Sequence, residues 1–311
     1  MESFWSQPLR VEFTEHAQLI TSRSINSQLW FVNNKTLQYR ILAYLAKYKA
    51  KYGVLLYAFV LVGNHYHLLA RFPKGQRSEF FRDFNARIAE AVRHLVPQFI
   101  GGPLFEKRFT PQILPLDLDL ENYFFYCALQ PVSSGLTQRI SDYEQYNSFS
   151  DAISQREQVF KVFKYGKYNA AKRTNPYVNR DDFMEEYTLS YEKLPHLIEL
   201  SSADYQKSLL TKLEQRRVEI VKDRLVREKG FLGKENLRRV VPGSLPRNTK
   251  KGGIRPLVLS CCRETKQSIL SWYFGVVTAY RKAVEKYRRG EFHTEFPPGT
   301  FRPNGMCICG P

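Results

Sequence analysis

The order of apolar and polar residues in the first half of the chain predicts alternating strands and helices. Residues 16–33 contain short apolar stretches broken by Ser and Asn, which indicate a strand followed by a turn. Apolar residues then recur at three- and four-residue intervals over residues 35–52, which predicts a helix that ends at Gly53. The continuous apolar run from Leu55 to Val62 has the length of a buried central strand, and residues 65–72 follow as a second strand.

Two more helices complete this half of the chain. Residues 78–95 carry Phe and aliphatic side chains at helical spacing, and a loop containing Gly and Pro follows at residues 100–114. Asp119 is the predicted N-cap of a helix over residues 120–130, which Pro131 would end because proline cannot continue the hydrogen-bond ladder. The order β-α-β-β-α is typical of an α+β fold of the ferredoxin-like type, an antiparallel sheet with packed helices.

The composition changes beyond about residue 150. Charged, helix-prone segments at residues 207–229 and 268–289 flank a loop at residues 240–256 that is rich in Gly, Pro, Lys and Arg, and no series of strands is visible. We therefore expect two regions, a sheet-containing domain over residues 10–150 and a basic, mainly α-helical extension over residues 151–311.

Charge indicates the class of partner. The 311 residues contain 47 Lys and Arg against 30 Asp and Glu, a net charge of +17 with a pI near 9.6, so nucleic acid is the first expected partner and an anionic membrane the second. Residues 206–256 contain 15 Lys and Arg but 5 Asp and Glu, a net charge of +10, which favours binding of the DNA backbone over a merely solvated helix face. The candidate phosphate contacts there are Arg216, Arg217, Arg238, Arg239, Lys250 and Lys251.

Membrane and secreted classes are disfavoured. The sequence contains no apolar run of about 18 residues and no signal-peptide pattern at its start. Five cysteines, two of them adjacent, do not form a secreted disulfide pattern, and their spacing matches no common zinc module. A content of 43% hydrophobic and 14% aromatic residues excludes wholesale disorder. We expect a cytoplasmic, nucleoid-associated protein with reduced thiols and no membrane partner.

The sharpest local motif is His65-Tyr66-His67. Residues i and i+2 of a strand point to the same face, so both imidazoles could ligate a divalent ion if a further ligand is supplied. Tyr126 and Gln130 are four residues apart in a predicted helix and share one face. If that helix crosses the histidine strand, the Gln130 amide oxygen becomes a third ligand and the Tyr126 hydroxyl lies beside the metal. The alternatives are a structural pair of histidines and an ordinary core tyrosine.

Two segments carry a family resemblance. Residues 57–72 (YAFVLVGNHYHLLARF) resemble the strand of tyrosine transposases that bears their His-hydrophobic-His motif. Residues 126–136 (YCALQPVSSGL) are similar to the Tyr-x-x-x-Asn-Pro-Val-x-x-Gly-Leu block of that family, and the REP-associated branch fits best. Two departures are Gly63, where Pro is frequent in the family, and Gln130, where Asn is common in the branch. The resemblance covers roughly residues 10–150.

The resemblance implies a site, a reaction and a substrate. His65 and His67 would bind Mg²⁺ or Mn²⁺ with Gln130 as the third ligand, and Tyr126 would be the nucleophile. Its attack on single-stranded DNA would leave a 5′-phosphotyrosine and a free 3′-OH, and reversal at another end would join strands. The expected substrates are repeats that form hairpins. A phenol with a pKa of about 10 is a poor nucleophile at neutral pH and needs help from a base or a metal.

Three further basic residues lie where contacts to phosphate or to a hairpin would be useful. They are Arg23, Lys107 and Arg108, and exposed solubilising charge is the alternative interpretation. Since most of the excess charge lies outside the segments that hold the candidate site, we expect the extension to hold DNA and its neutralisation to leave the chemistry at Tyr126 intact.

Two other functions stay open at this stage. A DNA-binding protein derived from such a transposase could bind repeats without cleaving them. A rolling-circle replication initiator or relaxase would share the histidine pair and the tyrosine, although the block after Tyr126 argues against it. The sequence leaves open whether the protein is a monomer or a homodimer.

Overall fold

The structure is a computed structural model that describes residues 9–246 and 255–303. These residues contain six strands and nine α-helices. The strands are β1 (Ala17–Arg23), β2 (Leu55–Val62), β3 (His65–Arg71), β4 (Thr110–Leu114), β5 (Gln158–Phe163) and β6 (Met184–Leu189). The helices are α1 (Lys35–Tyr52), α2 (Arg77–Leu95), α3 (Asp117–Ala128), α4 (Gln130–Ser133), α5 (Phe149–Ser154), α6 (Tyr165–Thr174), α7 (Ser202–Val226), α8 (Lys234–Arg238) and α9 (Arg263–Arg288). Lys250 and Lys251, two candidate DNA contacts, lie outside the described residues.

The first four strands form one antiparallel sheet in the order β2-β3-β1-β4. With α1 between β1 and β2 and α2 between β3 and β4, this is the predicted ferredoxin-like α+β arrangement, which is confirmed. The prediction of a loop over residues 100–114 is wrong in its last part, because β4 lies there. Pro111 obscured this strand in the sequence, and proline is tolerated because β4 is the edge strand of the four.

Helices cover both faces of this sheet. The side chains of β3 alternate between the faces, and the Tyr66 ring contacts Phe84 of α2 at a centroid distance of 5.7 Å. On the opposite face, the His67 ring contacts Tyr126 of α3 at 5.4 Å. The pair α1 and α2 therefore covers one face, and α3 covers the face to which the β3 histidines point.

The ends of α1 follow the sequence signals. The Asn34 side chain accepts a hydrogen bond from the Leu37 backbone N–H at 2.8 Å and caps the start of the helix. Gly53 ends it with a left-handed φ of 62°, a conformation that glycine adopts without steric cost. The predicted helix and its stop at Gly53 are confirmed.

Two details of the predicted helix over residues 120–130 are wrong. The helix begins at Asp117, so Asp119 lies in its first turn, where its Oδ1 accepts a hydrogen bond from the Cys261 backbone N–H at 2.9 Å. Pro131 does not end α3. The interruption comes at Leu129, and Pro131 lies in the first turn of α4, where its missing N–H is not needed.

Residues beyond 150 contain strands as well as helices. β5 and β6 pair antiparallel and pack on α1, where the rings of Tyr39 and Phe160 lie 5.2 Å apart. The expectation of no strands in this region is therefore wrong. Both strands are short and largely exposed. In β5, Val159 and Lys161 are exposed beside buried Phe160 and Val162, and in β6 only Leu189 is buried, so both strands lack the apolar run that marked β2.

The extension shares the core of the sheet domain. Phe160, Leu189, Tyr205 and Leu209 belong to the same buried cluster as Ile20 in β1. A second, smaller cluster joins α9 to the start of the chain and to β4, with members Val11, Phe13, Ile113, Val258 and Tyr273. The predicted long helices are confirmed as α7 and α9. Among the described helices, none is long and apolar enough to cross a membrane.

Candidate active site

Three of the predicted site residues meet on the α3 face of the sheet. His65 and His67 are both buried on β3, with ring centroids 4.8 Å apart and ring planes nearly perpendicular. Tyr126, on the last turn of α3, places its ring 5.4 Å from that of His67. The alternation of β3 directs both imidazoles to this face, and α3 crosses it because its Phe124 and Phe125 are buried in the core.

Neighbouring side chains fix the orientation of each imidazole. Nδ1 of His65 lies 2.6 Å from Asn64 Oδ1, and the Asn64 amide donates to the Ser27 carbonyl at 3.0 Å, which holds Oδ1 toward the ring. Nδ1 of His67 lies 2.8 Å from the Thr21 hydroxyl. Within the described residues, Nε2 of His67 is buried and has no hydrogen-bond partner. An engaged Nδ1 with a free Nε2 is the arrangement that metal-binding histidines use.

The histidines are neutral at physiological pH. Burial, followed by the charges of His67, Arg23 and Arg255, lowers the pKa of His65 well below its ordinary value. Burial, followed by Arg255 and Arg23, lowers the pKa of His67 to about 3. Neutral imidazole is the form that donates a lone pair to a cation, so these residues fit a metal site.

Tyr126 is accessible at the same place. Its side chain is 42% exposed, whereas most large apolar residues of α3 are buried, so a substrate can reach it. Burial of the phenol raises the pKa of Tyr126, and the Cys127 thiol adds to the rise, while Arg255 and Arg23 oppose it. The hydroxyl is therefore protonated at neutral pH. The Tyr123 ring lies 5.6 Å from that of Tyr126 on the same helix, so Tyr123 is a matched control position for substitutions of Tyr126.

Gln130 lies one turn beyond Tyr126, after the break at Leu129. It is buried at the first position of α4, where its backbone carbonyl accepts hydrogen bonds from the Ser133 hydroxyl and the Ser134 N–H. In the described part of the chain, no three His, Cys, Asp or Glu side chains are grouped so that they could hold a metal ion. Coordination by the Gln130 amide stays a prediction.

Of the three basic residues predicted beside the site, Arg23 is brought closest to the histidines. It is the last residue of β1 and pairs directly with His65 in the antiparallel register, so both side chains share one face. Lys107 and Arg108 are exposed in the loop that precedes β4. That loop runs beside the end of β1, where the Glu106 N–H donates to the Arg23 carbonyl at 3.0 Å.

Sequence reasoning missed Arg255. It lies in the segment assigned to the extension, yet its charge lowers the pKa of His65 and His67 and opposes the rise at Tyr126. Not all of the charge of residues 206–256 is therefore remote from the site, which corrects the predicted separation. No sequence signal marks this approach, because it depends on pairing between residues near 113 and residues near 258.

Three predicted DNA contacts of the extension make contacts within the chain. Arg216 donates to Asn122 Oδ1 at 2.8 Å, and its guanidinium lies 4.5 Å from the centroid of the Phe125 ring. Arg217 pairs with Glu214 and also donates to the Gln138 carbonyl, and Arg238 pairs with Glu144 at 2.7 Å. Arg239 is exposed at the end of α8. DNA binding by these residues stays a prediction, and Arg216 has a structural role as well.

Comparison with known proteins gives a weak likeness to solved structures. No family model and no curated protein matches the chain. Among solved structures, the chain is similar to a REP-associated tyrosine transposase bound to a REP hairpin, with 19% sequence identity and a TM-score of 0.41. The alignment covers 49% of this chain and 87% of that chain. This likeness does not assign the chain to that family, and the function must be argued from the side chains of the site.

Proposed function

We propose that the protein cleaves single-stranded DNA and transfers the cut strand, with Tyr126 as the nucleophile. The observation that carries this proposal is the meeting of an accessible tyrosine with a buried pair of neutral histidines, one of which has a free Nε2. The sequence blocks over residues 57–72 and 126–136, which resemble those of tyrosine transposases, hold the same residues. A protein that only binds DNA has no need of this combination.

The chain offers ligands for a divalent cation at this point. His65 and His67 would hold it through nitrogen atoms on the side facing α3, and Gln130 would contribute its amide oxygen. Bound Mg²⁺ or Mn²⁺ would supply Lewis acidity to a non-bridging oxygen of the scissile phosphate. Asn64 and Thr21 hold the two rings in the orientation that this binding requires.

Tyr126 would carry the covalent step. Its phenolic oxygen attacks the phosphorus and loses its proton, the bond between phosphorus and the 3′ oxygen breaks, and that oxygen leaves as a 3′-OH after taking up a proton. The product is a 5′-phosphotyrosine. Because the phosphodiester bond is exchanged for a phosphotyrosine ester of similar energy, a second 3′-OH can reverse the step and join a new strand without ATP.

The substrate follows from access and charge. A single strand exposes its backbone to a site that lies between a helix and a sheet, whereas a duplex would have to be opened first. The net charge of +17 favours a polyanion, and the family resemblance favours hairpin-forming repeats. DNA of this kind is the substrate and partner that we propose.

The test is a covalent adduct. Full-length protein is incubated with end-labelled single-stranded hairpin DNA and Mn²⁺ or Mg²⁺, and the products are separated under denaturing conditions. We expect a labelled protein band with the wild type and none with Tyr126→Phe. The matched control is Tyr123→Phe, which removes the neighbouring hydroxyl on the same helix and should retain the adduct.

Two results would contradict the proposal. One is a Tyr126→Phe variant that forms the adduct as well as the wild type. The other is a wild type that binds the hairpin tightly, with strong salt dependence, but forms no adduct with either metal. That second result would favour the alternative of a repeat-binding protein without cleavage activity.

A further inference from the structure

The chain returns from its extension to the edge of the catalytic sheet. Ile113 of β4 donates its N–H to the Leu257 carbonyl at 2.7 Å and accepts from the Leu259 N–H at 2.8 Å, a parallel bridge centred on Val258. The Gln112 side chain donates to the Pro256 carbonyl at 3.1 Å and extends the contact toward Arg255. The segment at residues 256–259 thus covers the outer edge of β4.

This pairing sets the position of Arg255. The observed bridge pairs Val258 with Ile113, and three residues back in the same parallel register Arg255 would be opposite Thr110. Thr110 pairs with Thr21, and Thr21 pairs with His67, so these three residues form one row across the sheet. Residues in register share a face, so this register would put Arg255 on the same face as the histidines and α3, where its charge acts on His65, His67 and Tyr126.

Arg23 lies on that face one position further along, opposite His65. Its backbone is fixed on both sides, because its carbonyl accepts from the Glu106 N–H and the next residue, Ser24, donates to the Asn64 carbonyl. Its side-chain Nε is buried and has no hydrogen-bond partner among the described residues. A guanidinium nitrogen without an acceptor keeps a donor that an anion could use.

The charges around these two arginines agree with this placement. Arg255 as a residue is exposed, but burial of its guanidinium lowers its pKa, the charge of Arg23 lowers it further, and Tyr126 and Glu106 raise it. The charges of Arg23 and Arg255 therefore act on each other and on the accessible Tyr126. Glu106 is the carboxylate that acts on Arg255 here. An anion between the two arginines would relieve the repulsion.

We propose that Arg23 and Arg255 together form a phosphate clamp that holds the phosphodiester attacked by Tyr126. This inference deepens the proposed function and rests on it. The guanidinium of arginine suits the task because it can donate two parallel hydrogen bonds to phosphate oxygens. The clamp joins one residue of the first strand to one residue of the extension, so the extension completes the site as well as holding DNA.

The first test is kinetic. Adduct formation by full-length protein is followed in a single turnover, with protein in excess over a labelled single-stranded hairpin and with Mn²⁺ present. We expect Arg255→Gln to slow adduct formation on the order of 10- to 100-fold, because it removes a charged donor at the reacting phosphate. The matched control, Arg281→Gln, removes the same charge from an exposed position on α9 and should stay within about twofold of the wild type.

The second test measures binding and does not need cleavage. Single neutral methylphosphonate linkages are placed in turn along the oligonucleotide, and their affinities are compared in the Tyr126→Phe variant with and without Arg255→Gln. If the clamp exists, one linkage weakens binding when Arg255 is present and has no effect when it is absent, which is the non-additivity expected of a direct contact. Arg23→Gln should remove sensitivity at the same linkage.

The outcomes separate the two proposals. The clamp is wrong if Arg255→Gln forms the adduct as fast as Arg281→Gln and if each methylphosphonate linkage lowers the affinity equally with and without Arg255. If the wild type forms no adduct, the proposed cleavage fails, whereas the methylphosphonate scan still reports whether Arg255 contacts one phosphate. If the wild type forms the adduct but no linkage effect depends on Arg255, the clamp is rejected and the proposed cleavage stands.

Discussion

The Thr21 hydroxyl lies 2.8 Å from Nδ1 of His67, across the pairing of β1 with β3. Thr21 and His67 are directly opposite in the register, so the contact is built into the sheet and does not depend on a loop. It engages one nitrogen of the ring and leaves the buried Nε2 available. A second contact of this kind, from Asn64, holds His65.

Removal of the Thr21 hydroxyl should weaken metal binding. Thr21→Val keeps the shape of the side chain but leaves His67 free to rotate or change tautomer, and such outer contacts are worth about 10- to 100-fold in metal affinity. Titration of Mn²⁺ followed by electron paramagnetic resonance measures this without DNA. Thr21→Ser keeps the hydroxyl and should bind Mn²⁺ like the wild type. Equal affinity of Thr21→Val and the wild type would mean that Thr21 does not orient His67.

Glu121 forms ion pairs that connect α3 with the extension. Its carboxylate is buried, accepts hydrogen bonds from Lys212 Nζ at 2.9 Å with both oxygens, and lies 2.7 Å from His196 Nε2. Burial raises the pKa of Glu121, but the contacts with Lys212 and His196 outweigh it, and the pKa is lowered overall. A carboxyl whose pKa is lower in the folded state stabilises the fold above its unfolded pKa and loses this contribution as the pH falls through the folded value.

Glu121→Gln should therefore destabilise the protein at neutral pH and less so in acid. We expect a loss of about 2 kcal/mol in the free energy of unfolding at pH 7, because Lys212 loses its partner, and a smaller difference below about pH 4. Urea unfolding at both pH values measures the two differences. Glu214→Gln removes an exposed partner of Arg217 and should change stability by less than about 1 kcal/mol. A Glu121→Gln effect that is constant with pH would contradict this assignment.

Where the signal is local, the sequence predicted three strands of the sheet and the face that the two histidines share. The alternation of β3 was enough to place His65 and His67 on one face, and the helical spacing of residues 35–52 was enough to place α1. The sequence did not reveal β4, because its five residues include Pro111. It did not reveal β5 and β6 either, because β5 exposes the apolar Val159 and β6 buries only Leu189.

Arg255 shows a different limit. Its position depends on a parallel bridge between Val258 and Ile113, which are far apart in the chain, and no local pattern predicts such pairing. Charge counting also failed to distinguish Arg216, which packs on Phe125, from exposed arginines such as Arg239. Composition identifies a basic region, whereas the partners of each cation depend on the tertiary structure.

Gly135 lies where the turn after α4 meets α7. Its φ is 75°, and a Cβ at this position would lie 1.9 Å from Arg224 Nη2. Arg224 also donates to the Ser133 carbonyl at 3.0 Å and to the Gly230 carbonyl at 2.7 Å, so it cannot move without breaking these hydrogen bonds. The turn that follows Gln130 is thus held against α7 by one arginine.

Gly135→Ala should destabilise the protein by about 1–3 kcal/mol, since it adds a left-handed alanine and displaces Arg224. The control is Gly166→Ala in α6, where a Cβ meets no atom within 4 Å and alanine should be neutral or slightly stabilising. Urea unfolding of the two variants gives the comparison. If Gly135→Ala is as stable as the wild type, the close approach of Arg224 is not a fixed feature of the fold.

The basic extension should contain two kinds of cationic residue, structural and DNA-binding, and the salt dependence of DNA binding should distinguish them. Arg216→Gln removes the hydrogen bond to Asn122 and the packing on Phe125, so we expect a loss of about 1 kcal/mol in stability and little change in the salt dependence of DNA binding.

Combined substitution of Arg239, Lys250 and Lys251 by Gln should do the reverse. For each cation that no longer binds a phosphate of the single strand, the slope of log affinity against log salt concentration should become shallower by about 0.7, while urea unfolding should be unchanged. Binding of a labelled hairpin between low and physiological salt measures the slope for each protein. If the triple variant keeps the wild-type slope while Arg216→Gln reduces it, the charge that binds DNA lies on α7 and not in the segment that follows α8.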